Sequence, residues 1–196
     1  MSRLVLASGS RVRAAMLRQA GLAFQVLPAD VDESVTKREM AGADPMRIAE
    51  ALAVIKARAV SPSCPGALVI GADQMLVCDS NLFDKPADID EARSHLRRLR
   101  GMTHHLCTAA VIVRDGEVLW QHSERPELVM RPFSDGFIDS YLAAIGDDAL
   151  LSVGAYQLEG RGAQLFDRVA GDFFSILGLP LLPLLAFLRH RNLIEA

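Results

Sequence analysis

Apolar residues occur in short runs separated by small or polar clusters, and the runs switch between strand and helix spacing along the chain. Residues 3–7 (RLVLA) predict a short buried strand, broken by Ser8-Gly9-Ser10. A helix follows over about residues 11–20, stopped by Gly21, and residues 23–27 (AFQVL) predict a second strand. This strand–loop–helix–strand opening is the signature of an α/β fold. Residues 30–44 are polar and acidic and read as a loop. Pro45 opens a helix to about residue 60, with Ile48, Leu52, Ile55 and Ala59 as its apolar stripe. After the break at residues 61–66, residues 67–77 (ALVIGADQMLV) predict a strongly apolar strand, and Asp79-Ser80-Asn81 is turn chemistry. Residues 88–99 predict a charged helix ending at Gly101. Residues 104–113 and 117–130 predict two long strands joined at Arg114-Asp115-Gly116, and Ser134 caps a helix to about residue 144. Residues 151–170 read as Gly-rich and strand-like, and a last helix begins near Pro180.

The chain has 196 residues, 51% hydrophobic and 23% charged, enough for one sizeable domain or two small lobes around a shared cleft. No internal repeat or linker divides it, so residues 1–196 are taken as a single domain. A formal net charge of -3 offers no broad cationic field, so a nucleic-acid polymer is not an expected partner. Any phosphate must therefore meet a local cluster of Lys and Arg. Cys64, Cys78 and Cys107 lack CxxC spacing, which argues against a disulfide framework or a zinc site and for a reduced, cytoplasmic compartment. The longest apolar segment, residues 176–188, falls short of the roughly 20 residues of a membrane span and contains Gly178, Pro180 and Pro183. No membrane partner is expected. Ser8, Ser10, Arg11 and Arg13 interrupt the N-terminal run, so it does not read as a signal peptide.

Several segments carry candidate chemistry. In LASGSRVR (residues 6–13) a small-residue loop leads into a helix N-terminus, where backbone N–H groups bind anions and Arg11 and Arg13 add charge. A plain connection with two solvated arginines explains the same residues equally well. Asp73 interrupts an apolar strand, where a buried carboxylate costs several kcal/mol unless it is paired or binds metal. A structural hydrogen bond is the alternative. Glu33, in Val31-Asp32-Glu33, is a weaker carboxylate candidate. Lys56 lies on the rim of the helical stripe, from which its ammonium can snorkel into a cleft, and Lys85 stands in a loop before Pro86. Residues 154–166 (GAYQLEGRGAQLF) suggest a loop passing close to a ligand, or a bulged hairpin. His104 and His105 face opposite sides of a strand and are read as structural. Together these groups meet the needs of pyrophosphate hydrolysis: carboxylates for Mg²⁺, cations for a triphosphate and an acceptor to orient water.

The motifs LVLASGSRVRAAMLRQAG, VDES, IKARA, VIGADQ, DKPAD, LRGMTH and GAYQLEGRGAQLFDRVAGDFFSILGLP occur in this order over nearly the whole chain. Their sequence closely resembles the Maf family of nucleotide pyrophosphatases. The resemblance implies an α/β fold like that of the inosine triphosphate pyrophosphatases, with a central twisted mixed sheet flanked by helices and two lobes around a cleft. It implies hydrolysis of a nucleoside triphosphate to a monophosphate and pyrophosphate, with Mg²⁺ or Mn²⁺ as cofactor. On matching positions, Ser8 and Arg13 contact phosphate, and Glu33 and Asp73 serve the metal and the attacking water. The resemblance further implies that Asp73 is the proton acceptor and that Lys56 and Lys85 hold the triphosphate. Asp172 is a weaker candidate. Where the family reads SPRR, this chain has Ser10-Arg11-Val12-Arg13, so Arg11 is the candidate to replace the missing arginine. Gln74 and Glu159 resemble the subgroup that acts on 7-methyl-GTP, with Val12 giving the base an apolar contact. The alternatives are a pyrimidine (dTTP/UTP) pyrophosphatase and a non-catalytic nucleotide-binding regulator of septum formation. A homodimer is a family-level expectation.

Overall fold

The opening strand, helix and strand stand where the apolar runs place them in the computed structural model, which describes residues 3–195. In chain order the elements are β1 (Leu4–Leu6), α1 (Arg11–Gln19), β2 (Gln25–Val26), α2 (Glu33–Glu39), α3 (Pro45–Val60), β3 (Leu68–Cys78), β4 (Asn81–Phe83) and α4 (Ile89–Leu99). They continue with β5 (Thr103–Arg114), β6 (Glu117–Glu124), β7 (Glu127–Met130), α5 (Asp135–Ile145), β8 (Phe166–Ala170), α6 (Phe173–Ile176) and α7 (Leu181–His190). The strands form a mixed sheet with helices against it. Strands β1 and β2 are parallel, as are β1 and β3, whereas β3/β4, β5/β6, β5/β7 and β7/β8 are antiparallel.

The chain forms two compact units. The first comprises the residues up to Gln74, Thr108–Glu124 and Asp172 onward, with strand order β2-β1-β3-β5-β6. The second comprises Met75–Cys107 and Arg125–Gly171, with strand order β4-β3-β5-β7-β8. Side-chain alternation on β3 organises the first unit. Leu68, Ile70 and Ala72 join Leu4 and Leu6 of β1, Met16 and Leu17 of α1, and Leu181, Leu184 and Leu188 of α7 in one buried cluster. Gly71, on the opposite face, meets α3. The apolar run of β3 is thus covered on both sides, as a central strand requires. Among the described residues no helix is long and apolar enough to cross a membrane.

Four expectations need correction. Residues 33–39 form α2 rather than loop. Asp32 caps it, its carboxylate accepting from the Ser34 amide at 3.0 Å, and none of its residues is buried, so no apolar stripe announces it. The buried face of α3 is Ile48, Ala49, Leu52, Ala53, Ala57 and Val60, whereas Ile55 and Ala59 are exposed. The small residues Ala53 and Ala57 give little apolar signal because their role is close approach rather than bulk. The strand expected over 117–130 is two strands, divided at Arg125-Pro126; β6 pairs with Thr108–Arg114 and β7 with Thr103–His105. Residues 151–165 are mainly 3₁₀ turns, and only 166–170 is strand. Gly154 and Ala155 adopt positive φ of 77° and 60°, and a Cβ on Gly162 would lie 2.3 Å from the Gln157 carbonyl oxygen, so this segment folds back on itself.

Candidate active site

Gly71 sets the first contact of the site. A Cβ there would lie 2.1 Å from the Ala53 carbonyl oxygen and 2.8 Å from the Ala57 Cβ, so only glycine lets α3 pack this closely on β3. Asp73 lies two residues further along the same face of β3. Lys56, between Ala53 and Ala57 in sequence, is brought against it. The Lys56 Nζ donates to Asp73 Oδ1 at 2.5 Å and forms an ion pair with Glu33 Oε1 at 2.7 Å. The Asp73 side chain is only 8% exposed and that of Lys56 12%. Burial raises the Asp73 pKa, opposed by the Lys56 and Arg13 charges and reinforced by Glu33. Lys56 therefore offsets part of the desolvation of the Asp73 carboxylate, and it draws Glu33 from α2 and Asp73 from β3 to one point.

A second set of contacts surrounds Ser8, just beyond β1. Its Oγ accepts from the Ser10 amide at 3.2 Å and from Arg13 Nη1 at 3.1 Å. Ser10 caps α1, accepting from the Arg13 amide at 3.3 Å. The Arg13 guanidinium also donates from Nη1 to the Ala72 carbonyl at 2.9 Å and from Nε to the Gly178 carbonyl at 2.7 Å. Burial pulls its pKa down, while Asp73 and Glu33 push it back up. Arg13 thus ties the opening loop, β3 and the turn before α7 together. Gly178 reaches this position with φ of 99°.

Gln74, on the opposite face of β3, holds the same C-terminal segment. Its Nε2 lies 2.8 Å from Thr108 Oγ1, 3.0 Å from the Ser175 carbonyl and 3.1 Å from the Ile176 carbonyl. Thr108 donates its single hydroxyl proton to the Ser175 carbonyl at 2.9 Å, so its oxygen accepts from Gln74. Carbonyls cannot donate, so the amide nitrogen must face this cluster. The donor end of Gln74 is thus engaged by the protein.

Of the other expected residues, Val12 is partly buried and packs against the core cluster of the first unit. Arg11 is exposed at the start of α1. Asp172 caps α6, Oδ2 accepting from the Ser175 amide at 2.6 Å. Lys85, in the loop after β4, and Glu159, in a turn, are exposed residues of the second unit. His104 is fully buried there, its Nε2 2.9 Å from the Tyr156 hydroxyl. Thr108, Gly178 and the carbonyls of Ala72, Ser175 and Ile176 escaped the sequence reading. Of these, only the glycine of LGLP left a trace.

Glu33 and Asp73 are hard oxygen donors converging on one ammonium. Among the described residues no cluster of three or more His, Cys, Asp or Glu is arranged to hold a metal. Such a pair matches the one or two carboxylates by which Mg²⁺ is held when phosphates complete its shell.

The Maf-like protein family model matches residues 3–191. A nucleoside triphosphate pyrophosphatase of Paramagnetospirillum magneticum is 58% identical over 96% of this chain and 98% of its own. A 7-methyl-GTP pyrophosphatase of Rhizobium meliloti is 50% identical over 98% of both chains. A nucleoside triphosphate pyrophosphatase of Granulibacter bethesdensis is 50% identical over 97% of this chain and 98% of its own. Matched from β1 to the end of α7, the chain belongs to the Maf-like protein family.

Proposed function

We propose that this chain is a nucleoside triphosphate pyrophosphatase, releasing a nucleoside monophosphate and pyrophosphate. The observation that carries the reading is the Lys56 ammonium bridging the buried Asp73 and the part-exposed Glu33 beside Arg13. A purely structural ion pair does not need a third charged partner drawn from a separate helix. Two cations and two carboxylates nearly cancel, which suits a ligand that brings both phosphate charge and a counter-cation. Relatives at 50–58% identity named for this activity support it.

Asp73 takes the proton of the water that attacks the α-phosphorus, because its buried carboxylate is a stronger base than a solvated one. Lys56 orients that carboxylate and shifts toward the incoming phosphates. Arg13 and Ser8 hold phosphate oxygens at the start of α1. Lys85 adds charge for the leaving pyrophosphate. Glu33 and Asp73 would hold Mg²⁺ or Mn²⁺, which when bound would supply positive charge to offset the polyphosphate.

For the base, a modified guanine such as 7-methyl-GTP is preferred over UTP and dTTP. Glu159 is an acceptor suited to guanine N–H groups, and the Gln74 amide also carries an acceptor oxygen. The R. meliloti relative carries that name. A soluble nucleotide substrate and three buried cysteines outside any disulfide support a cytoplasmic location. Comparing kcat/KM for 7-methyl-GTP, UTP, dTTP and CTP tests the preference. A clear preference for UTP or dTTP would favour the pyrimidine alternative, and no turnover with any of them would favour a non-catalytic regulator.

A further inference from the structure

Phe173 is 48% exposed, the one aromatic among the large apolar side chains that the described residues leave in solvent. Its neighbour Phe174 packs against the core, and the two rings meet edge to face at 5.9 Å and 73°. The backbone beneath Phe173 is fixed from several sides. Asp172 caps it through the Ser175 amide, Thr108 and Gln74 hold the Ser175 carbonyl, and Gln74 holds the Ile176 carbonyl. Arg13 holds the Gly178 carbonyl two residues beyond. An aromatic face is therefore presented to water on a rigid support tied directly to Arg13 and Gln74. Folding gains nothing from the half of the ring left in water, whose apolar area would be stabilised by a cover. Val12, which was to have met the base, packs on the core and leaves that role open.

We propose that Phe173 is a specificity-determining residue whose ring stacks on the nucleobase of the triphosphate. The proposal rests on the pyrophosphatase reading and deepens it. Stacking is available to every base, but the positive charge of a 7-methylated guanine adds a cation–π attraction to the ring face. Phe173 thus favours a methylated purine over an unmethylated one, and either over a pyrimidine.

Steady-state kinetics with 7-methyl-GTP, GTP and UTP test this on the full chain and on Phe173→Ala, Phe173→Leu and Phe173→Tyr, beside melting temperatures. Base–aromatic stacking corresponds to a factor of about 10 to 100 in binding. Phe173→Ala is expected to raise KM for 7-methyl-GTP by about that factor, with kcat changed less than about twofold. The rise is smaller for UTP, Phe173→Tyr restores the wild-type KM, and Phe173→Leu does not. The melting temperature falls by only a few degrees in Phe173→Ala, because the ring lies outside the core and loses its edge contact with Phe174. Equal KM for wild type and Phe173→Ala would overturn the proposal, as would full rescue by Phe173→Leu or an equal rise for all three nucleotides. Failure of the wild-type chain to release pyrophosphate from any of them would instead overturn the reading beneath it, and the proposal with it.

Discussion

Lys56 is the residue on which the site closes, since its ammonium reaches both Asp73 and Glu33. The carboxylate of Asp73 was legible in the sequence, because an acid in the run ALVIGADQMLV demands a partner. Its partner was legible only as a lysine on the rim of a helix. The role of Arg13 was legible only in part. Two of its acceptors are the carbonyls of Ala72 and Gly178, and backbone groups carry no residue-type signal. Gln74 shows the same blindness. Its identity suggested base recognition, yet its donor end is used on Thr108 and two carbonyls. Asp73→Asn keeps the shape and a hydrogen bond to Lys56 but removes the base. It is expected to lower kcat by at least about 100-fold while the folded far-UV spectrum persists. Near-normal turnover in that variant would make Asp73 a structural residue.

Among the elements, those with a buried face were readable and those without were not. Helix α3 was placed from Pro45 to Val60, but its buried stripe turned out to run through Ala53 and Ala57, where the strand comes close. Helix α2 buries nothing and left only the capping pair Asp32 and Ser34 as a signal. The turns of 151–165 resemble strand in sequence because their apolar residues alternate with glycines that fold the chain back. Gly71→Ala tests the contact between α3 and β3. The new methyl would meet backbone at 2.1 Å, which cannot yield without moving the helix. A loss of about 1–3 kcal/mol in denaturant unfolding is expected, with reduced activity because Lys56 moves with the helix. Gly136→Ala is the control, since its nearest neighbour would be the Ser134 hydroxyl at 3.9 Å and alanine favours a helix. Comparable stability of the two variants would contradict a close helix–strand contact.

At the scale of the molecule, the α/β class and a two-lobed organisation were legible in the sequence, whereas the boundaries of the two units were not. Those after Gln74 and Cys107 fall inside β3 and β5, so no linker composition marks them. Stability as a function of pH reports on the second unit. Burial, with His105 beside it, pulls the His104 pKa down to about 4 from the ordinary 6.5. The folded chain therefore holds His104 neutral where the unfolded chain binds a proton. Its contribution is complete above about pH 6.5 and is lost, at about 1.4 kcal/mol per pH unit, as pH falls toward 4. His95, also lowered by burial, acts in the same direction. In a Tyr156→Phe background, which removes the hydroxyl facing the ring, His104→Leu is expected to flatten unfolding free energy between pH 4 and 6.5. Parallel profiles would place the effect elsewhere. The reaction itself is tested most directly by hydrolysing 7-methyl-GTP in H₂¹⁸O with Mg²⁺ and identifying the first products by mass. Attack at the α-phosphorus predicts ¹⁸O-labelled nucleoside monophosphate and unlabelled pyrophosphate, with no reaction in excess chelator. Orthophosphate with a nucleoside diphosphate, or label in the pyrophosphate, would contradict it.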